Sequence, residues 1–82
     1  MDQEGYNGLD MYKKATYVWD NGKYVSVREY YGYKINLYLL PGFYVEVWYF
    51  VNENRIKKVE LVSDNNILKL YPEIKERLIT LN

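Results

Sequence analysis

The 82-residue sequence predicts an α+β domain: a strongly twisted, five-stranded antiparallel β-meander followed by one C-terminal α-helix. Two observations lead to this prediction. Runs rich in Val, Tyr, Ile and Leu alternate with short breaks that contain Gly, Pro or Asn, which is typical of strands and turns. After position 66 the apolar residues instead recur every three or four positions, as in an amphipathic helix. A small half-open barrel is the alternative architecture, because bulges at the turns would curve the sheet.

The chain is expected to form a single domain whose first ten residues are frayed, since residues 1–10 offer only Tyr6 and Leu9 for burial. The meander is expected over residues 11–62. Its strands are predicted at 11–19, 23–31, 33–39, 43–51 and 55–62.

The breaks between these strands predict the register of the sheet. Each break places Gly or Asn at the third position of a three-residue loop, where a left-handed residue can close a bulged turn. Loops of three residues keep odd-numbered strand residues on one face, and that odd face carries most of the aliphatic side chains and is expected to be the core. A two-residue turn at Asn21-Gly22 is the alternative for the first hairpin, and it would move Trp19 to the other face.

The C-terminal helical segment is expected over residues 66–81. Ser63, Asp64, Asn65 and Asn66 offer N-caps for it. Because Pro72 lacks an amide donor and disfavours helix in the residue before it, we expect one turn near 66–70 and a main helix that starts at Pro72.

The composition argues against several classes of function. The chain has no Cys and no His, so the commonest ligands for a bound metal and the commonest catalytic base are missing, and we expect no cofactor, no metal and no enzymatic activity. Eleven basic and eleven acidic residues give zero net charge, which makes nucleic-acid binding an unfavoured interpretation.

The sequence also bears on localisation. Its longest apolar run, residues 43–51, is interrupted by Glu46 and is much shorter than the ~18 residues that span a bilayer. The N-terminus is acidic and polar, without the pattern of a signal peptide, so a cytoplasmic protein is expected.

The aromatic content gives the functional prediction. Eleven Tyr, two Trp and two Phe lie mainly in the strand block. Five strands present on the order of 600 Å² per face, whereas a helix of this length covers only about 230 Å². The surplus predicts a small interaction or adaptor protein that forms a homodimer or binds another protein. The predicted contact residues share the even-numbered face: Tyr38, Tyr44, Glu46, Trp48 and Phe50.

Other interpretations of that face remain open. Tyr and Trp favour strands intrinsically, so the aromatics could simply stabilise the sheet while half exposed. The same platform could also bind single-stranded nucleic acid or a small ligand weakly, although Glu46 and Glu60 on that face would repel phosphate.

Overall fold

The computed structural model describes residues 1–72 and has an α+β fold, in which two helices precede a four-stranded antiparallel sheet of order β1-β2-β3-β4. A 3₁₀ helix connects β3 to β4 and a second one follows β4. The elements are α1 (Gln3–Asn7), α2 (Met11–Asn21), β1 (Lys23–Tyr30), β2 (Tyr33–Leu40), β3 (Phe43–Phe50), the 3₁₀ helix Val51–Glu53, β4 (Arg55–Leu61) and the 3₁₀ helix Asn65–Leu70. None of the helices within residues 1–72 is long and apolar enough to cross a membrane.

The segment 11–19, which the sequence analysis assigns to a first strand, is the helix α2, so the prediction of five strands is wrong. The side chain of Asp10 caps this helix by accepting a hydrogen bond from the backbone N–H of Lys13 at 2.8 Å. Gly22 ends it, and its N–H donates to the carbonyl oxygen of Val18. The segment contains β-favouring residues, but its two capping residues and the packing of Ala15 and Val18 on the sheet decide for the helix.

The first ten residues, expected to be frayed, form a packed helix. Asp2 caps α1 by accepting a hydrogen bond from the N–H of Gly5. Tyr6 is completely buried, and its hydroxyl donates to the carbonyl oxygen of Lys14 in α2 at 2.9 Å. This bond and the burial of one large ring fix α1 against α2.

The turns differ from the predicted three-residue loops. Tyr30 pairs with Tyr33, and Leu40 pairs with Phe43, so the first two hairpins have two-residue turns. Each two-residue turn exchanges odd and even positions between the faces, and the prediction that all odd residues share one face is therefore wrong. At the third connection Asn54 adopts the expected left-handed conformation, with φ of 52°, but Arg55 pairs with Phe50, which makes the loop four residues long instead of the predicted three.

The sheet is covered on both faces rather than on one. We call the side under α1 and α2 the helical face; its strand residues are Tyr24, Val27, Glu29, Lys34, Asn36, Tyr38, Leu40, Phe43, Val45, Val47, Tyr49, Ile56, Val59 and Leu61. The other side, the C-terminal face, is partly covered by the chain that follows β4; its strand residues are Ser26, Arg28, Tyr30, Tyr33, Ile35, Leu37, Tyr44, Glu46, Trp48, Phe50, Arg55, Lys58 and Glu60.

The chain after β4 begins as predicted. Asp64 caps the 3₁₀ helix Asn65–Leu70 by accepting a hydrogen bond from the N–H of Asn66, which confirms a turn in this region. Tyr71 then inserts into the C-terminal face and is completely buried beside Leu37 and Val62. The main helix predicted from Pro72 onward lies outside the described residues, apart from Pro72 itself.

Candidate functional site

Cross-strand register builds a regular lattice at one end of the C-terminal face. Its first line runs Arg28, Ile35, Trp48, Lys58 across the four strands, and the next runs Tyr30, Tyr33, Phe50, Arg55. The two-residue turns bring this set to one face, because they move the odd residues of β2 beside the even residues of β1 and β3. Beyond the second line lies the β1–β2 turn.

Five rings at this end form a continuous series, which we call the aromatic row: Tyr30, Tyr31, Tyr33, Trp48 and Phe50. Successive ring centroids are 4.6 Å apart for Tyr31 and Tyr30, 6.0 Å for Tyr30 and Trp48, 5.4 Å for Trp48 and Tyr33, and 4.9 Å for Tyr33 and Phe50. Their planes are inclined at 49° to 85°, the tilted and edge-to-face arrangements that aromatic pairs prefer. The rings hold one another in place before any ligand arrives.

Tyr31 is the most exposed member of the row, with 86% of its surface accessible. It occupies the turn between β1 and β2 with φ of 41°, and Gly32 follows with φ of 86°. Positive φ at both positions is the requirement of a type I′ hairpin turn, for which Asn-Gly is the favoured pair. A bulky residue at the first position is unusual and costs about 1 kcal/mol or more. The fold therefore carries an exposed tyrosine where a smaller residue would suit the backbone better.

Gly32 allows the Phe50 ring, at one end of the row, to pack against the β1–β2 turn. A Cβ atom on Gly32 would lie 3.1 Å from Cε1 of the Phe50 ring. Only a residue without a side chain lets the Phe50 ring pack this closely over the turn.

The first line of the lattice also gathers cations around Trp48. The Arg28 guanidinium carbon lies 5.5 Å from the Trp48 ring centroid, and the Lys58 ammonium lies 4.1 Å from it. Lys58 also forms an exposed ion pair with Glu60 at 3.3 Å. The Trp48 Nε1–H is buried and has no hydrogen-bond partner among the described residues. Two cations therefore lie close to the Trp48 ring, and its N–H has no hydrogen-bond acceptor in the described part of the chain.

Glu46, predicted as one of the contact residues, is instead buried, with 2% of its surface accessible. Its Oε2 accepts hydrogen bonds from Arg28 Nε at 3.1 Å and from the Tyr71 hydroxyl at 2.5 Å, and Arg28 Nη2 lies 3.0 Å from the same oxygen. Burial, and then the adjacent Glu46 carboxylate, raise the pKa of the Tyr71 hydroxyl, so this group stays protonated and donates. The Glu46 carboxylate therefore takes part in buried hydrogen bonds and is not accessible to a ligand.

The structure separates the remaining predicted contact residues. Trp48 and Phe50 lie in the aromatic row. Tyr44 lies at the opposite end of the same face. There it packs, with Ile67 and Leu68, against the buried cluster of Leu37, Val62 and Tyr71. Tyr38 is on the helical face, because the two-residue turn at Pro41-Gly42 inverts its parity relative to β3.

Tyr38 belongs to a second exposed aromatic group, at the β1 edge. Its ring centroid is 5.5 Å from Trp19 of α2 and 5.8 Å from Tyr24 of β1, both in edge-to-face geometry. More than half of the Trp19 and Tyr24 surfaces are accessible. The aromatic surplus predicted from the composition is therefore divided between two surfaces.

Three members of the aromatic row, Tyr30, Tyr31 and Tyr33, are not among the predicted contact residues. Three-residue loops would place Tyr33 in the core, and position 31 is the end of a predicted strand. The signal that could have found them is the Tyr31-Gly32 pair between two alternating runs, since a residue followed by Gly is the usual composition of a two-residue hairpin turn.

A shallow groove of about 450 Å³ runs along the turn, lined by Glu29, Tyr30, Tyr31, Gly32, Tyr33, Lys34, Val51 and Asn52. Within residues 1–72 no group of three or more carboxylates is placed to hold a metal ion. Comparisons with protein-family models, with curated proteins and with solved structures found no match to this chain.

Proposed function

We propose that this protein is a small, non-enzymatic interaction module that binds a partner protein through the aromatic row. The observation that supports this most strongly is Tyr31, an exposed ring kept in a left-handed backbone conformation that its residue type disfavours. Strained residues that the fold does not need are concentrated at contact sites. The absence of Cys and His from the sequence supports the non-enzymatic part of the proposal.

The row has the physical properties of a protein-contact surface. Tyr and Trp have few rotatable bonds, so immobilising them on binding loses little conformational entropy. In the row, edge-to-face contacts already restrain the rings, which lowers that loss further. Tyr30 and Tyr31 remain exposed beside half-buried Trp48 and Phe50, and such clusters supply most of the binding energy in protein interfaces.

The charges around the row suggest the chemistry of the partner. Arg55 is exposed at the end of the second lattice line, and Lys58 stands over Trp48 in the first. A partner segment with an apolar or aromatic centre and a flanking carboxylate fits this arrangement. The carboxylate would approach Arg55, which makes no ion pair within the described part of the chain.

A second candidate function, weak binding of single-stranded nucleic acid or of a small ligand, uses the same row. The observation that favours it is the pair of cations over Trp48 together with the internal neutralisation of Glu46 by Arg28. That neutralisation removes one of the two repulsive charges expected on this face. The zero net charge and the Lys58–Glu60 ion pair still weigh against phosphate binding.

The test is a selection of binding peptides followed by variant analysis. A random peptide library displayed on phage is panned against the immobilised wild-type protein, and the affinity of each enriched peptide is then measured in solution. Replacing Tyr31 by Asn should weaken the binding of these peptides at least about tenfold, because an aromatic residue that dominates an interface contributes more than 1.4 kcal/mol. Panning that enriches no peptide would count against the proposal.

A matched control separates the row from exposed tyrosine in general. Tyr12 on α2 is 79% accessible and lies outside the row, so Tyr12→Asn should leave every affinity unchanged. Equal affinities for wild type and the Tyr31 variant would refute the assignment of the row.

Salt dependence separates the two candidate functions. A labelled single-stranded oligonucleotide of about 12 nucleotides is titrated at about 50 and 200 mM salt. The proposal expects at most weak binding that disappears at the higher salt, whereas the selected peptides keep their affinity within about threefold. Tight oligonucleotide binding that is lost in the Tyr31→Asn variant would favour the second function.

A further inference from the structure

The two edges of the sheet are built differently. The β4 edge carries three cations within four residues, Arg55, Lys57 and Lys58. Such a cluster of like charges on an edge strand hinders its pairing with a second copy of itself. The β1 edge instead exposes Tyr24, Val27 and Tyr30, with no further strand beside it in the described part of the chain.

We propose that two copies of this chain associate through their β1 strands, which pair antiparallel about a two-fold axis that passes through Val27. The two four-stranded sheets then continue into one another. The partner strand is a second copy of β1, because the side chains of β1 complement one another in size and charge when two copies of this strand are paired.

The bulge in β1 determines which register is possible. Tyr24 pairs with Tyr38 and Val27 pairs with Asn36, so both side chains lie on the helical face although they are three residues apart. The bulge between Tyr24 and Ser26 inserts the extra residue that makes this possible. A partner strand must accommodate the same interruption.

Placing the axis at Val27 satisfies this condition. Val27 then faces its own copy, Ser26 faces Arg28 of the second copy and, across the bulge, Tyr24 faces Glu29 while Lys23 faces Tyr30. Each pair lies on one face of the joined sheet. Tyr24 can donate its hydroxyl to the Glu29 carboxylate, and the Lys23 ammonium can lie over the Tyr30 ring.

The same axis also places the second exposed aromatic group beside the new strand pair. The helices make their main contacts with β2 and β4, which leaves Tyr24 and Val27 of β1 at the uncovered margin of the helical face. Trp19, Tyr24 and Tyr38 stand along that margin in edge-to-face contact. In the register about Val27, this group of each copy lies beside Glu29 of the other copy, so part of its exposed apolar surface is removed from water.

The size of the contact predicts its strength. Eight residues of β1 span about 27 Å, and side-chain layers of about 10 Å on each face give a contact of roughly 540 Å² per copy. The total of about 1,100 Å² is just below the range of stable complexes, so the dimer should be reversible with a dissociation constant in the micromolar range.

Cysteine cross-linking tests the axis directly, since the natural chain has no Cys. In the Val27→Cys variant the two thiols face each other across directly opposed strand residues, whose Cα atoms are about 5 Å apart, within the range that a disulfide requires. Mild oxidation should therefore give a disulfide-linked dimer in high yield. Glu60→Cys, at an exposed position of the other edge strand, should give little. Efficient cross-linking of Glu60→Cys, or none of Val27→Cys, would overturn the proposal.

Light scattering provides a test that does not depend on thiol geometry. The wild-type mass should fall from dimer to monomer on dilution from about 200 to 2 μM protein. Val27→Lys should be monomeric throughout, because a lysine on the edge blocks pairing. Leu70→Lys, at an exposed apolar position on the 3₁₀ helix, should behave as wild type. A wild type that is monomeric at the highest concentration would refute the dimer.

The dimer contact and the aromatic row share Tyr30, but Val27 belongs only to the dimer contact and Tyr31 only to the row. Val27→Lys should leave the affinity of the selected peptides unchanged, and Tyr31→Asn should leave the dimer intact. Loss of one activity without the other shows which of the two assignments has failed.

Discussion

Replacing Arg28 by Met removes the cation that neutralises the buried Glu46 carboxylate. Arg28 lies 3.0 and 3.1 Å from Glu46 Oε2 through two nitrogens, and its side chain is 15% accessible while that of Glu46 is 3% accessible. Breaking a buried ion pair on one side destabilises a protein by about 3–5 kcal/mol, because the remaining charge is left in a medium of low polarity. We expect Arg28→Met to lose free energy of unfolding in this range, a large share of the stability of a small domain.

The matched control is Lys58→Met, which removes the other cation over Trp48. Lys58 is half exposed and its partner Glu60 is exposed, so this change should cost less than about 1 kcal/mol. Both variants are measured by urea denaturation followed through Trp fluorescence. If the two losses of stability agree within 1 kcal/mol, the buried network does not hold the C-terminal face together.

Two further variants keep this prediction testable if Arg28→Met does not fold. Tyr71→Phe removes one hydrogen bond to the same carboxylate and should cost about 1.5–3 kcal/mol. In the double variant Arg28→Met with Glu46→Gln the buried charge is gone, so much of the lost stability should return.

Three other predictions concern the turns and the N-terminal core. Tyr31→Asn relieves the left-handed strain while losing one exposed ring contact, so it should raise stability by about 0.5–1 kcal/mol and the thermal midpoint by about 2–8 °C; a lower midpoint would show that the ring supports the fold. Gly32→Ala should cost more than Gly42→Ala, because both positions have positive φ but only the first brings a Cβ to 3.1 Å from the Phe50 ring; equal losses in denaturation would contradict this packing. Burial, with the neighbouring Tyr17, raises the pKa of Tyr6 to about 12 in the folded protein, above its ordinary value of 10.0. The stability that the protonated Tyr6 hydroxyl contributes is therefore complete below pH 10 and is lost as the pH rises through 12. When the free energy of unfolding is measured against pH, Tyr6→Phe should show a shallower decline at alkaline pH than the wild type.

The positions of four strands were predictable because their ends carry strong local signals. The residues between β1 and β2 and between β2 and β3 include Gly32, Pro41 and Gly42, which break any regular run. The left-handed conformation of Asn54 was predictable for the same reason. Local backbone chemistry decides these features, and tertiary packing has little influence on them.

The face assignments were not predictable by the same route. A turn of two residues and a turn of three residues have similar compositions here, yet they place opposite sets of side chains on each face. The choice at Tyr31-Gly32 depends on a tyrosine accepting positive φ, against its intrinsic preference. Because that choice determines which residues join Trp48 and Phe50, the composition of the candidate site could not be obtained from strand patterns alone.

The helix α2 shows a second limit. Residues 11–19 include the β-favouring residues Tyr, Thr, Val and Trp, so the composition indicates a strand. The caps at Asp10 and Gly22 also fit a helix, and burial of Val18 with Tyr6 against the sheet stabilises that alternative. A period of two and a period of 3.6 are hard to distinguish over nine residues, and packing decides between them.

The measurement that tests the central claim most directly is the affinity of the selected peptides for Tyr31→Asn relative to Tyr12→Asn. If the aromatic row is the contact surface, the Tyr31 variant binds at least about tenfold more weakly than the Tyr12 variant while remaining at least as stable as wild type. Equal affinities of the two variants would contradict the claim, and the strained tyrosine would then have to be explained without a partner.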